Sequence, residues 1–219
     1  MARGNSRLLE EEGRSGEGQE QPTQHEGSSG DSKKTSQSSV ARKLTTVVVS
    51  AGHSPFGDPG AVIRTPSGEV LKEANEVLRY RDALVGILKD SREMPFVSRV
   101  ANVTDGYTLR ETLKYIKALG ENAYDLAVEI HMNRSDVKTA SGVECFIAAN
   151  APLWIRQTAK RLVVSLSKRS GLRNRGVKLD LASGRGALAW CRELGGKGLL
   201  IEIGFLQNPT DREWLLRLS

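Results

Sequence analysis

Two histidines and two glutamates carry the chemistry available to this sequence. Of its three histidines, His25 lies in a polar, low-complexity stretch, whereas His53 and His131 each end an apolar run and adjoin a loop. In open α/β sheets, ligands gather in the crevice beyond the carboxyl ends of the strands. A single histidine at a strand end is commonly structural, but two delivered to one rim are candidate metal ligands. A catalytic zinc takes three protein ligands and keeps one position for water. No cysteine adjoins either histidine, so the third ligand is expected to be a carboxylate. Glu73, at the start of a predicted helix, is the first choice, with Glu69 and Glu76 as local rivals. Glu202 sits in Leu199-Leu200-Ile201-Glu202-Ile203, a segment otherwise apolar on both faces. Burying a carboxylate is costly unless it has a cation, a hydrogen-bond partner or a catalytic role. Beside a metal-bound water it can act as general base and then general acid. The structural alternative is a buried pair with Arg175 or Arg185.

The elements that must position these side chains are legible in the hydrophobic pattern. Thr45–Ser50 is a β-branched run of buried-strand type ending in Ala51-Gly52-His53. A Gly- and Pro-rich loop follows. Residues 73–90 read as a helix, with Val77, Leu78, Leu84, Val85 and Leu88 on one side. A short strand is predicted over 96–100. Thr108 and Glu111 have the spacing of a capping box, followed by the stripe Leu109, Leu113, Ile116 and a stop at Gly120. Strands are predicted at 125–130, running into His131, at 143–148 and at 199–203. Between the last two, Pro152 is placed at the first helical position of a long helix that carries Leu153, Leu162, Val163 and Leu166 and ends near Gly171. Strands alternating with helices predict an α/β layered sandwich with a mixed, mostly parallel central sheet flanked by helices. Residues 1–43 are rich in Gly, Ser, Glu, Gln and Lys. They carry too little apolar surface to offset the entropy of ordering, and are predicted to be a disordered tail before a domain at 44–219.

Composition narrows the classes further. The net charge is +6. Residues 1–44 hold seven basic and seven acidic side chains, so the whole excess belongs to the later part. A basic surface suits a polyanion or simply confers solubility. No stretch approaches the ~20 apolar residues of a membrane-spanning helix. Met1–Gln19 lacks the apolar centre of a secretory signal. The two cysteines, Cys145 and Cys191, form no close-pair motif and are read as reduced, Cys145 as a core residue. Cys191 has no activating partner in sequence, which argues against a catalytic thiol.

With these residues in view, the chain resembles the zinc-dependent N-acetylmuramoyl-L-alanine amidases of the amidase-3 type, a family of cell-wall hydrolases. The likeness is carried by Ala51-Gly52-His53 with Gly57-Asp58-Pro59-Gly60-Ala61, and by Lys72-Glu73-Ala74-Asn75 with Leu78. It continues through Ile130-His131-Met132-Asn133, Gly142-Val143-Glu144 and Asn174-Arg175-Gly176-Val177-Lys178. It ends on Ile201-Glu202-Ile203-Gly204-Phe205-Leu206-Gln207-Asn208, and covers about residues 45–218. The resemblance implies His53, Glu73 and His131 as ligands of one zinc ion, choosing Glu73 over its rivals. It implies Glu202 as the acid/base, with Asn133 as a candidate to orient substrate or a ligand. The reaction implied is hydrolysis of the amide between N-acetylmuramic acid and L-alanine, with peptidoglycan as partner, no nucleic acid and a monomeric chain. A zinc peptidase or deacetylase, or a non-catalytic polyanion-binding domain on the same fold, are the alternatives.

Two departures stand out. Ser54-Pro55-Phe56 replaces the glycines that often follow the family's first histidine, which implies a stiffer loop. The family domain usually ends with a further helix, whereas this chain stops at Ser219, soon after Asn208-Pro209-Thr210-Asp211. That implies a very short last helix or an incomplete chain. An enzyme without a visible signal whose substrate lies outside the cytoplasm is expected to act after release or export, as a phage endolysin does.

Overall fold

The computed structural model describes residues 46–90, 92, 99–103 and 108–218, with side chains left aside at 99–103 and 218. The chain divides into two units, Met1–Val40 and Ala41–Ser219, and every described residue belongs to the second. The tail reading of residues 1–43 therefore lies outside the described residues.

In chain order the elements are β1 (Thr46–Ala51), β2 (Val62–Arg64), β3 (Val70–Lys72), α1 (Glu73–Lys89), β4 (Arg99–Val103), α2 (Leu109–Ala118), β5 (Leu126–Asn133) and β6 (Val143–Ile147). They continue with α3 (Leu153–Ser170), β7 (Asn174–Leu179), α4 (Ala189–Glu193), β8 (Gly198–Phe205) and α5 (Pro209–Leu215). Single 3-10 turns cover Asp180–Ala182 and Leu216–Leu218. One six-stranded sheet has the order β4-β1-β5-β8-β6-β7, and β2 and β3 form a separate antiparallel hairpin. β4, β1, β5 and β8 run parallel to one another. β6 joins β8 antiparallel and carries β7 parallel to itself. This is the mixed, mostly parallel sheet that the alternation of elements predicts.

Strand alternation divides the sheet into two faces. On one, Val47, Val49, Val128, Ile130, Cys145, Ile201 and Ile203 pack in a large core with Val77 and Val85 of α1, Ile155 and Val163 of α3 and Leu215 of α5. On the other, Val48, Ala127, Phe146 and Leu200 meet Leu113 and Ile116 of α2 and Trp190 and Cys191 of α4. This second layer is thin because α2 and α4 are short. Continuing along the same face, each strand turns polar: Val48 gives way to Ser50, Ala127 to Glu129 and His131, and Leu200 to Glu202. The site therefore forms where the sheet face extends beyond its smaller helical cover.

Several helix ends follow the expected chemistry. Thr108 accepts from the Glu111 backbone N–H while the Glu111 carboxylate accepts from Thr108 N–H, completing the capping box. α3 ends at Gly171 in the left-handed region, with φ 74°. Other expectations are corrected. Pro152 caps α3 rather than occupying its first turn, and Leu153 faces solvent, as does much of Leu109. The strand predicted over 96–100 is seen as β4 from Arg99, and residues 96–98 lie outside the described residues. The three-residue strands β2 and β3, the partly exposed edge strand β7 and the short helices α4 and α5 are too brief or too polar to leave a periodic signal. After the Asn-Pro-x-Asp stretch, α5 runs Pro209–Leu215 and tightens into a 3-10 turn.

Candidate active site

His53 follows directly from β1, His131 lies near the end of β5, and Glu73 is the first residue of α1. The structure brings these three together with their ligand atoms within 4.8 Å of one another. His53 Nε2 is 3.4 Å from Glu73 Oε2, and His131 Nδ1 is 3.2 Å from Glu73 Oε1. The two imidazole rings meet edge to face at 87°, with centroids 4.9 Å apart. Of the rival carboxylates, Glu76 is engaged with Arg79 at 3.1 Å and Glu69 lies exposed in the β2–β3 turn.

Glu73 is held at both of its carboxylate oxygens. The hairpin β2–β3 turns the chain so that Glu73 N–H donates to Ala61 O and Ala74 N–H to Pro59 O. Its carboxylate then accepts Ala61 N–H at Oε2 and Met132 N–H at Oε1, each at 2.8 Å. Two glycines make room. Gly60 has φ 64°, and a Cβ there would lie 2.6 Å from both Glu73 Oε2 and His53 Cδ2. A Cβ on Gly52 would lie 2.1 Å from Cε1 and Nε2 of His131. Burial pushes the Glu73 pKa up, but the contact with His131 and the charges of the two imidazoles outweigh it, and the net shift is downward.

The donor set fits a small divalent cation. Two ligands each about 2.0–2.1 Å from a tetrahedral zinc lie about 3.3 Å apart. The Glu73–histidine separations, 3.2 Å from His131 to Oε1 and 3.4 Å from His53 to Oε2, are near that value, and with one donor atom per residue all three lie within 4.8 Å of one another. Nitrogen and carboxylate donors also match zinc's preference.

Glu202 is the register partner of His131 across β5–β8 and of Glu144 across β6–β8. The residue as a whole is partly exposed, but its Oε2 is inaccessible and has no hydrogen-bond partner among the described residues. Burial pushes its pKa up to about 8, nearby His131 pulls it down, and the like charges of Glu73 and Glu144 raise it again. Arg175, one cation considered for pairing with Glu202, is committed to Glu144 instead, with Nε 2.9 Å from Oε2 and the guanidinium over the Phe205 ring. Lys178 Nζ joins the same carboxylate oxygen at 2.5 Å. Arg185, the other cation considered, is exposed and acts on Glu202 only through its field. Asn133 donates its Nδ2 to Glu144 Oε1 at 2.8 Å, so its amide is tied to that network at the edge of the site.

Three further acidic residues lie around these side chains. Asp58 Oδ2 approaches His53 Nδ1 to 2.9 Å, although Nδ1 is not aligned for a hydrogen bond. Glu129 Oε2 lies 3.2 Å from His131 Nε2. Glu144 anchors the basic pair just described. The readable signal for Glu129 and Glu144 is a charged residue inside an otherwise apolar strand, the same signal that marks Glu202. A cavity of about 230 Å³ opens beside the centre, lined by Gly52, His53, Phe56, Asp58, Thr112 and Glu129. Ser54 and Asp58 exchange backbone hydrogen bonds at 3.0 and 3.2 Å, closing the loop after His53 into a tight turn with Phe56 exposed on it. Both cysteines are buried. Burial holds their thiols protonated, Cys191 with a pKa pushed up to about 12, which agrees with a packing role.

Comparisons with known proteins agree with this geometry. The family model of N-acetylmuramoyl-L-alanine amidases matches residues 47–218. Among solved structures, the fold is similar to an N-acetylmuramoyl-L-alanine amidase from Clostridium difficile 630, with TM-score 0.63 and 23% identity over 80% of this chain and 88% of that one. It is similar to the catalytic domain of CwlV, an amidase from Bacillus (Paenibacillus) polymyxa var. colistinus, with TM-score 0.57 and 23% identity over 78% and 87%. It is also similar to the catalytic domain of the CD27L endolysin targeting Clostridia difficile, with TM-score 0.52 and 22% identity over 80% and 89%. No curated protein matches the chain. The family match decides for an amidase over a peptidase, a deacetylase or a non-catalytic binding domain. The chain thus belongs to the N-acetylmuramoyl-L-alanine amidase family, enzymes that hydrolyse the amide joining N-acetylmuramic acid to L-alanine in peptidoglycan.

Proposed function

We propose that this amidase works with one zinc ion held by His53, Glu73 and His131, and that Glu202 is its catalytic carboxylate. The single observation that carries the reading is the spacing of the three donors around one point, with the Glu73 carboxylate fixed at both oxygens by backbone N–H groups. A bound zinc supplies Lewis acidity and lowers the pKa of its water. Glu202 stands beside His131 with a buried oxygen that has no hydrogen-bond partner among the described residues. In its carboxylate form it takes a proton from the attacking water and returns it to the leaving alanine nitrogen. Its raised pKa suits a group that must both accept and donate near neutral pH. Glu144, Arg175 and Lys178 fix the floor next to it, and Asn133, tied to Glu144, is placed to orient substrate.

The working location follows from the substrate. Peptidoglycan lies outside the cytoplasmic membrane, and no helix among the described residues is long and apolar enough to cross one. We read the protein as a monomer that reaches the wall by release or export.

The test combines metal analysis with digestion of purified peptidoglycan. Glu202→Gln is expected to retain stoichiometric zinc and to lose about 10²–10⁴-fold in kcat. His131→Ala is expected to lose both metal and turnover. Chelator should abolish the release of stem peptides beginning with alanine, and added zinc should restore it. Near wild-type turnover by the Glu202 variant would reject its role, and a metal-free active enzyme would reject the centre.

A further inference from the structure

Each imidazole of the centre has two nitrogens, and only one can face a metal. For His131 the nitrogen turned to Glu73 is Nδ1, at 3.2 Å from Oε1. Nε2 lies 3.2 Å from Glu129 Oε2, an ion-pair contact rather than an aligned hydrogen bond. Glu129 lies two residues before His131 on β5, so both side chains leave the same face of the sheet.

The setting of Glu129 is unusual for a carboxylate. It is 3% exposed, flanked in register by Ser50 of β1 and Leu200 of β8. The Ser50 hydroxyl donates to Ala51 O instead. Among the described residues, no lysine or arginine pairs with Glu129, and its one ionic neighbour is His131. A carboxylate buried at this depth is costly without a partner that uses it. Glu129 lines the cavity beside the centre together with Thr112, whose own buried Oγ1 has no partner among the described residues.

We propose that Glu129 is a positioning residue that accepts the Nε2–H of His131, fixing the tautomer whose Nδ1 lone pair faces the metal. Metal-bound histidines commonly donate their second ring N–H to a carboxylate, which sets ring orientation and raises donor basicity. Here the seat is complete. Gly52 leaves the space against the Nε2 edge, His53 meets the ring edge to face, and Glu129 closes the far side. The inference rests on the reading that His53, Glu73 and His131 hold the metal, and it assigns to that centre an acidic support on the strand that carries its second histidine.

The test measures zinc and cobalt affinity by competition with a chromophoric chelator for wild type, Glu129→Gln and Glu129→Leu, alongside proton NMR of the zinc-loaded proteins. Glu129→Leu is expected to bind zinc about 10- to 100-fold more weakly. It should also lose the downfield, slowly exchanging Nε2–H resonance of His131. Glu129→Gln keeps a neutral acceptor, so affinity falls less and the resonance moves upfield without disappearing. This second variant preserves the test if the leucine variant fails to fold. A leucine variant that binds within about twofold of wild type, or a glutamine variant whose Nε2–H resonance does not move, overturns the proposal. If wild type itself binds no zinc, the metal-centre reading fails first, a result distinct from wild-type binding that the variants leave unchanged.

Discussion

At the residue scale, the site depends as much on what is missing as on what is present. Gly52 does not adopt a left-handed backbone, so its requirement is purely steric: the edge of the His131 ring occupies the place of a Cβ. Gly52→Ala should therefore fold, since its backbone conformation suits any residue, yet displace the imidazole and weaken zinc binding by at least about tenfold. Isothermal titration with zinc, compared with the far-UV spectrum of the same sample, checks this. Undiminished affinity would mean that the ring has another place to go. Glu202 and Glu129 illustrate opposite uses of one residue type on one sheet face. Among the described residues, the first keeps a buried oxygen without a hydrogen-bond partner, whereas the second is paired to an imidazole.

At the element scale, the segment after β8 locks the rim of the sheet. Asn208 caps α5 by accepting Thr210 N–H at 2.9 Å and Asp211 N–H at 3.3 Å. Asp211 is fully buried and accepts the Ser141 hydroxyl at 2.6 Å, Gly142 N–H at 2.9 Å and Phe205 N–H at 2.8 Å. One carboxylate thus ties the start of β6 to the end of β8, the two strands that bear Glu144 and Glu202. Asp211→Ala leaves two backbone N–H groups without their acceptor, and is expected to cost about 3 kcal/mol of stability. Urea denaturation should show a lower midpoint with little change in slope. A loss below about 1 kcal/mol would show that water or a neighbouring group replaces the carboxylate.

At the scale of the whole molecule, the concentration of acidic groups on one sheet face makes stability depend on pH. The Glu202 pKa of about 8 in the folded chain lies above its ordinary value, because burial and the charges of Glu73 and Glu144 disfavour the carboxylate. Below the ordinary glutamate pKa of about 4.3, both folded and unfolded chains hold the proton. As pH rises toward 8 the unfolded chain releases it and the folded chain does not, so stability falls over that window and levels above it. In the presence of chelator, the Tm of Glu202→Gln and wild type should be close at pH 4.5, and the variant should be higher at pH 8.5. Zinc should shrink the difference, since a nearby cation favours the carboxylate. Parallel Tm curves for the two proteins across this range would contradict the assignment of a buried, metal-facing carboxyl group.

The long periodic elements were readable before any coordinates: β1, α1, α2, β5, β6, α3 and β8 each have enough residues for the alternation of apolar and polar positions to declare itself. His53, His131 and Glu202 also stood out in the sequence, because a polar residue closing or interrupting an apolar strand is conspicuous by its cost. Local pattern left Glu73 level with Glu69 and Glu76, and likeness to a known family chose it. Tertiary structure gave the physical ground for that choice, since only Glu73 receives backbone N–H groups from Ala61 and Met132, twelve and fifty-nine residues away. The same holds for Glu129, Glu144 and Arg175. Their partners lie on the same strand face or on neighbouring strands, and spacing along a chain does not reveal which strands become neighbours. Burial depth and hydrogen-bond geometry arise only when the sheet order β4-β1-β5-β8-β6-β7 is set.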